Sequence, residues 1–234
     1  MAQTVVNTSS SSNYAVVSIT AQVGGSTTLQ QSDLPETWPT EGVVQLVISG
    51  FDTIPDEFFS CFSSTVYSNI NVVSFQSTPT LNIGAGAFYQ SNITLLKLPS
   101  NSSVVIQDGA FAYNLYLMTI IGLPYATQIG RLAFYYCSNL TSVDLTGLDT
   151  SDVNNLGNGA FYNCAQLAIV DNLSPVFLSK TLYSDSPGSY PNVLGDYDGS
   201  PFTGAVEVHK LTNTVPDTYG LAFGIKCDAT PPGL

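Results

Sequence analysis

Apolar positions along this chain return in a fixed order. An aliphatic residue, three variable residues, an alanine and a phenylalanine recur as Ile83-Gly-Ala-Gly-Ala-Phe88, Ile106-Gln-Asp-Gly-Ala-Phe111, Ile129-Gly-Arg-Leu-Ala-Phe134 and Leu156-Gly-Asn-Gly-Ala-Phe161. The phenylalanines are spaced by 23, 23 and 27 residues. That period lies in the range of about 20–29 residues in which one supersecondary unit stacks on the next. After Phe134 the apolar residues Cys137, Leu140, Val143 and Leu145 follow at offsets of three, six, nine and eleven. Cys164, Leu167 and Val170 repeat the first three offsets after Phe161, and Leu117 and Ile120 repeat two of them after Phe111, with Asn114 in the cysteine place. The copy after Phe88 is one residue short, so Ile93, Leu96 and Leu98 take the inward positions.

The end of each unit alternates with period two, which turns every second side chain to one face of a strand. Pro99, Pro124 and Pro175 punctuate the exits, where a strand stops donating to its ladder. The Ile-x-x-x-Ala-Phe half suits a return segment with a short turn or helical piece. There alanine permits close approach and phenylalanine fills the interior. One such coil cannot bury its apolar side, but coils stacked about 4.8 Å apart can. The pattern therefore predicts a mainly β repeat solenoid. Its core residues are Phe88, Phe111, Phe134 and Phe161, with Phe59 and Phe202 in degenerate flanking copies and Cys137 and Cys164 in equivalent places of adjacent coils. Upstream, Val44 to Ile48 reads as a strand, Ser63 to Asn69 as an insertion that delays the strand half Ile70 to Phe75, and Tyr14 to Val23 as part of a cap. The expected layout is a flexible arm over 1–13, an N-terminal cap over 14–42, and a solenoid over 43–213 with a loop insertion at 176–199. A C-terminal cap over 214–234 completes it.

Over Ile83 to Pro175 the chain resembles the BspA-like leucine-rich-repeat family, whose unit reads roughly I-x-x-x-A-F-x-x-C-x-x-L-x-x-V-x-L-P. The resemblance extends more loosely over Val43 to Leu211. It implies a right-handed coil with a parallel sheet on one face, short turns or helical pieces on the other, and capped ends. It also implies a non-enzymatic surface protein that adheres to host proteins or other cells. A fold resemblance does not carry a ligand with it.

Charge narrows the partners. Only 9% of residues are charged, against roughly 25% in an average globular protein. A surface of Ser, Thr, Asn, Gly and Tyr fits an extracellular, cell-surface or viral-particle setting. The net charge of −12, with five Lys and Arg in all, argues against nucleic acid and against anionic membrane surfaces. No apolar run reaches the length of about 18 residues that a membrane helix needs. The first thirteen residues have no basic start followed by an apolar stretch, so no signal peptide is expected there.

Catalytic inventory is poor, and neither an enzyme nor a cofactor is expected. His209 is the single histidine, in a Val-Glu-Val-His-Lys-Leu alternation, and neither a nucleophile elbow nor a phosphate loop accompanies it. Cys61, Cys137, Cys164 and Cys227 match no zinc spacing. Cys137 and Cys164 read as stacked buried thiols, with an inter-coil bridge as the alternative. Asp196 and Asp198, with Asp185 nearby, offer calcium several oxygens without the spacing of a calcium loop, so a solvated turn is the plainer reading.

The candidate recognition residues are Tyr89, Tyr113, Tyr135, Tyr136 and Tyr162, one or two places after each buried phenylalanine. Stacking would align them along one side, as a low-entropy contact surface for a protein or glycan. Alternatively they cover the side of the core and bond locally. Two function classes follow: a recognition or adhesion module, or a self-assembling subunit of a fibre, surface layer or virus particle.

Overall fold

The computed structural model describes residues 2–9, 14–22, 26–62, 65–76, 78–148, 155–157, 160–161, 164–167, 169–173, 206–210 and 225–228. Fourteen strands are present among them. The first sheet contains β1 (Gln3–Ser9), β2 (Tyr14–Thr20), β3 (Val43–Ser49), β5 (Ile70–Gln76), β7 (Leu95–Lys97) and β9 (Thr119–Ile121), in that order. The second holds β4 (Thr53–Ile54), β6 (Thr80–Ile83), β8 (Ser103–Ile106) and β10 (Ala126–Ile129). A third runs through β11 (Ser142–Asp144), β12 (Ile169–Leu173), β13 (Val206–Lys210) and β14 (Ile225–Asp228). Every pairing is parallel except that of β1 with β2.

From β3 to β10 each coil crosses the first sheet, returns through the second and closes with the turn that carries a buried ring. The stacked coils form the expected solenoid. The return side carries more than turns, because β4, β6, β8 and β10 form a parallel ladder with Ile54, Ile83, Ile106 and Ile129 in register. The cause is a second short alternation, Leu81 with Ile83 and Val104 with Ile106, whose members all point inward and are buried.

The segment expected to be a flexible arm is corrected by β1. Residues 3–9 pair along their whole length with β2, from Gln3 opposite Thr20 to Ser9 opposite Tyr14. The composition explains it: Thr and Val favour extended backbone, and β2 would otherwise present an unpaired edge. In β2, Ala15, Val17 and Ile19 face the core and the residues between them face out. Asp33 ties the segment that follows, since its carboxylate accepts the amides of Ala2 and Gln30, each at 3.0 Å.

The core is a column of rings. Phe59, Phe88, Phe111, Phe134 and Phe161 are each essentially inaccessible to solvent. Successive centroids lie 5.1, 5.2, 5.4 and 5.3 Å apart, with interplanar angles of 19°, 4°, 4° and 1°. These separations fall in the range where offset stacking of aromatic rings is favourable. Burying each ring contributes about 1.5–3 kcal/mol.

Small residues set the distance between coils. Asp56 Oδ1 accepts the Ala85 amide and Asp108 Oδ1 accepts the Arg131 amide, both at 2.7 Å, each reaching one coil forward. The residue before each donor is glycine. A Cβ on Gly130 would stand 2.6 Å from both the amide nitrogen and Oδ1 of Asp108, so only glycine admits this contact.

Candidate recognition edge

The tyrosines are positioned by the turn that holds the ring column. Alternate amides of the turn donate to the next coil: Gly86 to Asp108, Phe88 to Ala110 and Gln90 to Ala112, then Gly109 to Arg131, Phe111 to Ala133 and Tyr113 to Tyr135. To aim these amides forward, the backbone becomes left-handed two residues before the ring, at Glu57, Gly86, Gly109 and Leu132, with φ of 53°, 60°, 61° and 56°. It does so again two residues after the ring, at Gln90, Tyr113 and Tyr136, with φ of 57°, 61° and 59°. Glycine takes the first of these positions without cost, which explains its recurrence before Ala-Phe. The tyrosines that follow are thus carried on a backbone bonded from coil to coil.

Four of the five candidate tyrosines come together. Tyr89 meets Tyr113 edge-on at 5.3 Å, and Tyr113 stacks on Tyr136 at 5.3 Å with an interplanar angle of 5°. Tyr135 packs edge-on against Tyr113 and Tyr136, at 5.0 Å in both cases. Tyr162 lies outside the described residues, as do Asp196, Asp198, Phe202 and the expected loop insertion at 176–199. Phe62, which the sequence pattern did not single out, extends the ledge by an edge contact to Tyr89 at 5.9 Å. It is 75% exposed, against 39% for Tyr136, so it is the least covered ring of the series. Burial, with the neighbouring Tyr113 as a lesser cause, raises the Tyr89 phenol above its ordinary pKa.

A second apolar group was also missed. Leu115, Tyr116 and Met118 are exposed, in the segment that follows Phe111. The signal was available, because the next coil places Ser138, Asn139 and Thr141 at the same offsets. The sheet face shows no comparable chemistry: Leu95 and Lys97 on β7, and Ser142 and Asp144 on β11, alternate apolar, basic, polar and acidic.

Beneath the ledge runs a line of side-chain donors. Three residues after each ring stand Ser91, Asn114, Cys137 and Cys164, all buried. Ser91 Oγ donates to Phe59 O at 3.1 Å, Asn114 Nδ2 to Phe88 O at 2.7 Å, Cys137 Sγ to Phe111 O at 3.3 Å and Cys164 Sγ to Phe134 O at 3.2 Å. Each therefore donates to the carbonyl of the ring one coil back, and in two cases it adds to a backbone bond, since Phe88 O also accepts the Ser91 amide at 3.4 Å and Phe134 O the Cys137 amide at 3.2 Å. The two cysteines are unbridged thiols.

Burial, followed by the proximity of Cys164, pushes the Cys137 thiol well above its ordinary pKa, and burial pushes Cys164 up to about 12. A folded-state pKa above the unfolded value gives stability that is complete below the unfolded pKa near 9 and is lost as pH rises through the folded value. Urea midpoints are therefore expected to fall as pH is raised from 9 towards 12, and to fall less in the double variant Cys137→Ala/Cys164→Ala. Equal slopes in the two proteins would contradict this assignment.

Among the described residues, no group of three or more His, Cys, Asp or Glu is placed to hold a metal ion, and no helix is long and apolar enough to cross a membrane. No curated protein and no solved structure matches the chain. The sequence pattern of the family described as BspA type Leucine rich repeat region matches it in six copies, over residues 46–112 and 81–179, more than half its length. With the ring column, the donor line and the parallel coils all falling on that repeat, the chain belongs to the BspA-type leucine-rich-repeat family.

Proposed function

We propose that this protein is a non-enzymatic recognition module whose aromatic ledge docks onto another protein. The observation that carries this reading is the run of rings Phe62, Tyr89, Tyr113, Tyr135 and Tyr136, each in contact with the next or with two others. Rings that lock one another lose little further freedom on binding, and tyrosine and phenylalanine supply large contact area. The ledge favours a protein over a glycan. Tyr113 and Tyr136 each give one face to the other, which reduces the ring face on which a sugar could stack and leaves edges and hydroxyls for a protein partner. An extracellular or surface setting fits the low charge of the chain.

The test uses the intact chain on immobilised fibrinogen, fibronectin, laminin and collagen. Saturable binding to at least one is expected. Tyr113→Ala/Tyr136→Ala is expected to weaken it tenfold or more, the size of loss typical when central aromatic anchors are truncated. A folded double variant that binds undiminished would overturn the assignment.

One observation favours a second reading, assembly of the chain with copies of itself. Among the described residues β1 ends the first sheet, and its sequence Gln-Thr-Val-Val-Asn-Thr-Ser carries no charge and no proline to blunt that edge. Sedimentation of the same preparation separates the two readings. Monomers at all concentrations sustain recognition of another protein, and concentration-dependent dimers or fibres sustain self-assembly.

A further inference from the structure

An open cleft of about 560 Å³ lies where the N-terminal cap meets the turn that carries Phe59, and none of its lining residues belongs to the tyrosine ledge. Its walls include Gln30, Gln31, Asp56, Glu57, Phe58 and Tyr67. We propose that this cleft binds a neutral saccharide.

The rings are held in advance. Phe58 and Tyr67 both pack edge-on against the buried Phe59, at 4.8 and 5.2 Å. Tyr67 is also braced edge-on by Trp38 at 5.0 Å, and its hydroxyl is hydrogen-bonded to the Gln31 side chain. Trp38 is itself anchored, its Nε1 donating to Asn69 Oδ1 at 3.1 Å. Two partly buried rings fixed on one buried ring make a rigid apolar wall. The same lining carries the Gln30 and Gln31 carboxamides, which donate and accept, and the Asp56 and Glu57 carboxylates, which accept, although Gln31 already bonds Tyr67 and Asp56 Oδ1 already accepts the Ala85 amide.

Charge selects the class of ligand. The lining has two carboxylates and no Lys, Arg or His, so it repels anions. The polar part of the lining is unsuited to a hydrophobic ligand. A neutral, hydroxyl-rich molecule with apolar ring faces matches this mixed lining. Glu57 is the residue most specific to the cleft. Its backbone is left-handed at φ 53°, where the next two coils use Gly86 and Gly109. The fold does not require a side chain there, and a Cβ is disfavoured in that conformation.

That strain supplies a clean test. Glu57→Gly removes the carboxylate and relaxes the backbone, so its melting temperature is expected to stay level or rise. Trp38 is the one tryptophan of the chain and touches Tyr67, so its fluorescence reports on the cleft. Titration of the whole protein with chitotetraose, cellotetraose, mannotetraose and lactose at millimolar concentrations is expected to give a saturable change with at least one. In Glu57→Gly the affinity for that sugar is expected to fall at least tenfold. Three results would overturn the proposal: no saturable change with any sugar, undiminished binding in Glu57→Gly, or a response to calcium chloride with none to the sugars. Because the ledge is untouched, Glu57→Gly is expected to leave binding to matrix proteins as it was.

Discussion

Phe111→Ala is expected to lower stability by about 3–5 kcal/mol, the cost of emptying a fully buried aromatic site. Phe111 is the middle ring of five, with Phe88 stacked at 5.2 Å on one side and Phe134 at 5.4 Å on the other. Its loss therefore removes two stacking contacts and leaves a void that rigid coils, bonded to each other through the turn, cannot collapse to fill. Against a typical domain stability of about 5–15 kcal/mol this is a large share. The position adds a second effect. A solenoid is held by nearest-neighbour interfaces, so damage in the middle uncouples the coils on either side. Urea denaturation followed by circular dichroism is expected to show an earlier, broader transition for Phe111→Ala. Phe111→Leu, which keeps most of the volume, is expected to cost a minor part of that amount. A loss under about 1 kcal/mol for the alanine variant would mean that the ring column does not carry the core.

What the sequence disclosed was what repeats. The ring positions, the inward residues Ile93, Leu96, Leu98, Leu140 and Val143, and the tyrosine alignment all follow from one period, because stacking converts equal spacing into contact. The second ladder was less legible. Its strands are only two to four residues long, too short for alternation to stand out beside the ring motif. β1 was misread for a different reason: a polar Thr/Asn/Ser composition resembles a free tail, and its pairing depends on a partner edge that no local pattern reveals. The cleft was not legible at all. Gln30 and Gln31 come from the cap and Tyr67 from the insertion at Ser63 to Asn69, so their meeting is fixed by tertiary packing alone. The same holds for Phe62, which occupies the place three after Phe59 that later coils give to a buried donor.

That donor line also shows why one coil departs from cysteine. Asn114 is fully buried and makes three hydrogen bonds: Nδ2 donates to Phe88 O at 2.7 Å and to Phe111 O at 2.9 Å, while Oδ1 accepts the Ile93 amide at 3.3 Å. The third bond is the informative one. The coil after Phe88 is one residue short, and its Ile93 amide points to the following coil for an acceptor. A thiol donates adequately and accepts weakly, whereas a carboxamide does both. Asn114→Ala is expected to cost about 2–3 kcal/mol, since the Ile93 amide is then buried without a partner, at about 1–3 kcal/mol, and Phe88 O keeps only the long bond from the Ser91 amide at 3.4 Å. Asn114→Cys is expected to recover the smaller part of that by restoring the side-chain donation to Phe88 O, as Cys137 does for Phe111 O one coil on. Urea denaturation gives the order wild type, then cysteine, then alanine. Hydrogen exchange locates the difference, because the Ile93 amide is expected to lose protection in both variants. A cysteine variant as stable as the wild type, with Ile93 still protected, would show that the shortened coil needs no acceptor and that asparagine stands there only as a donor.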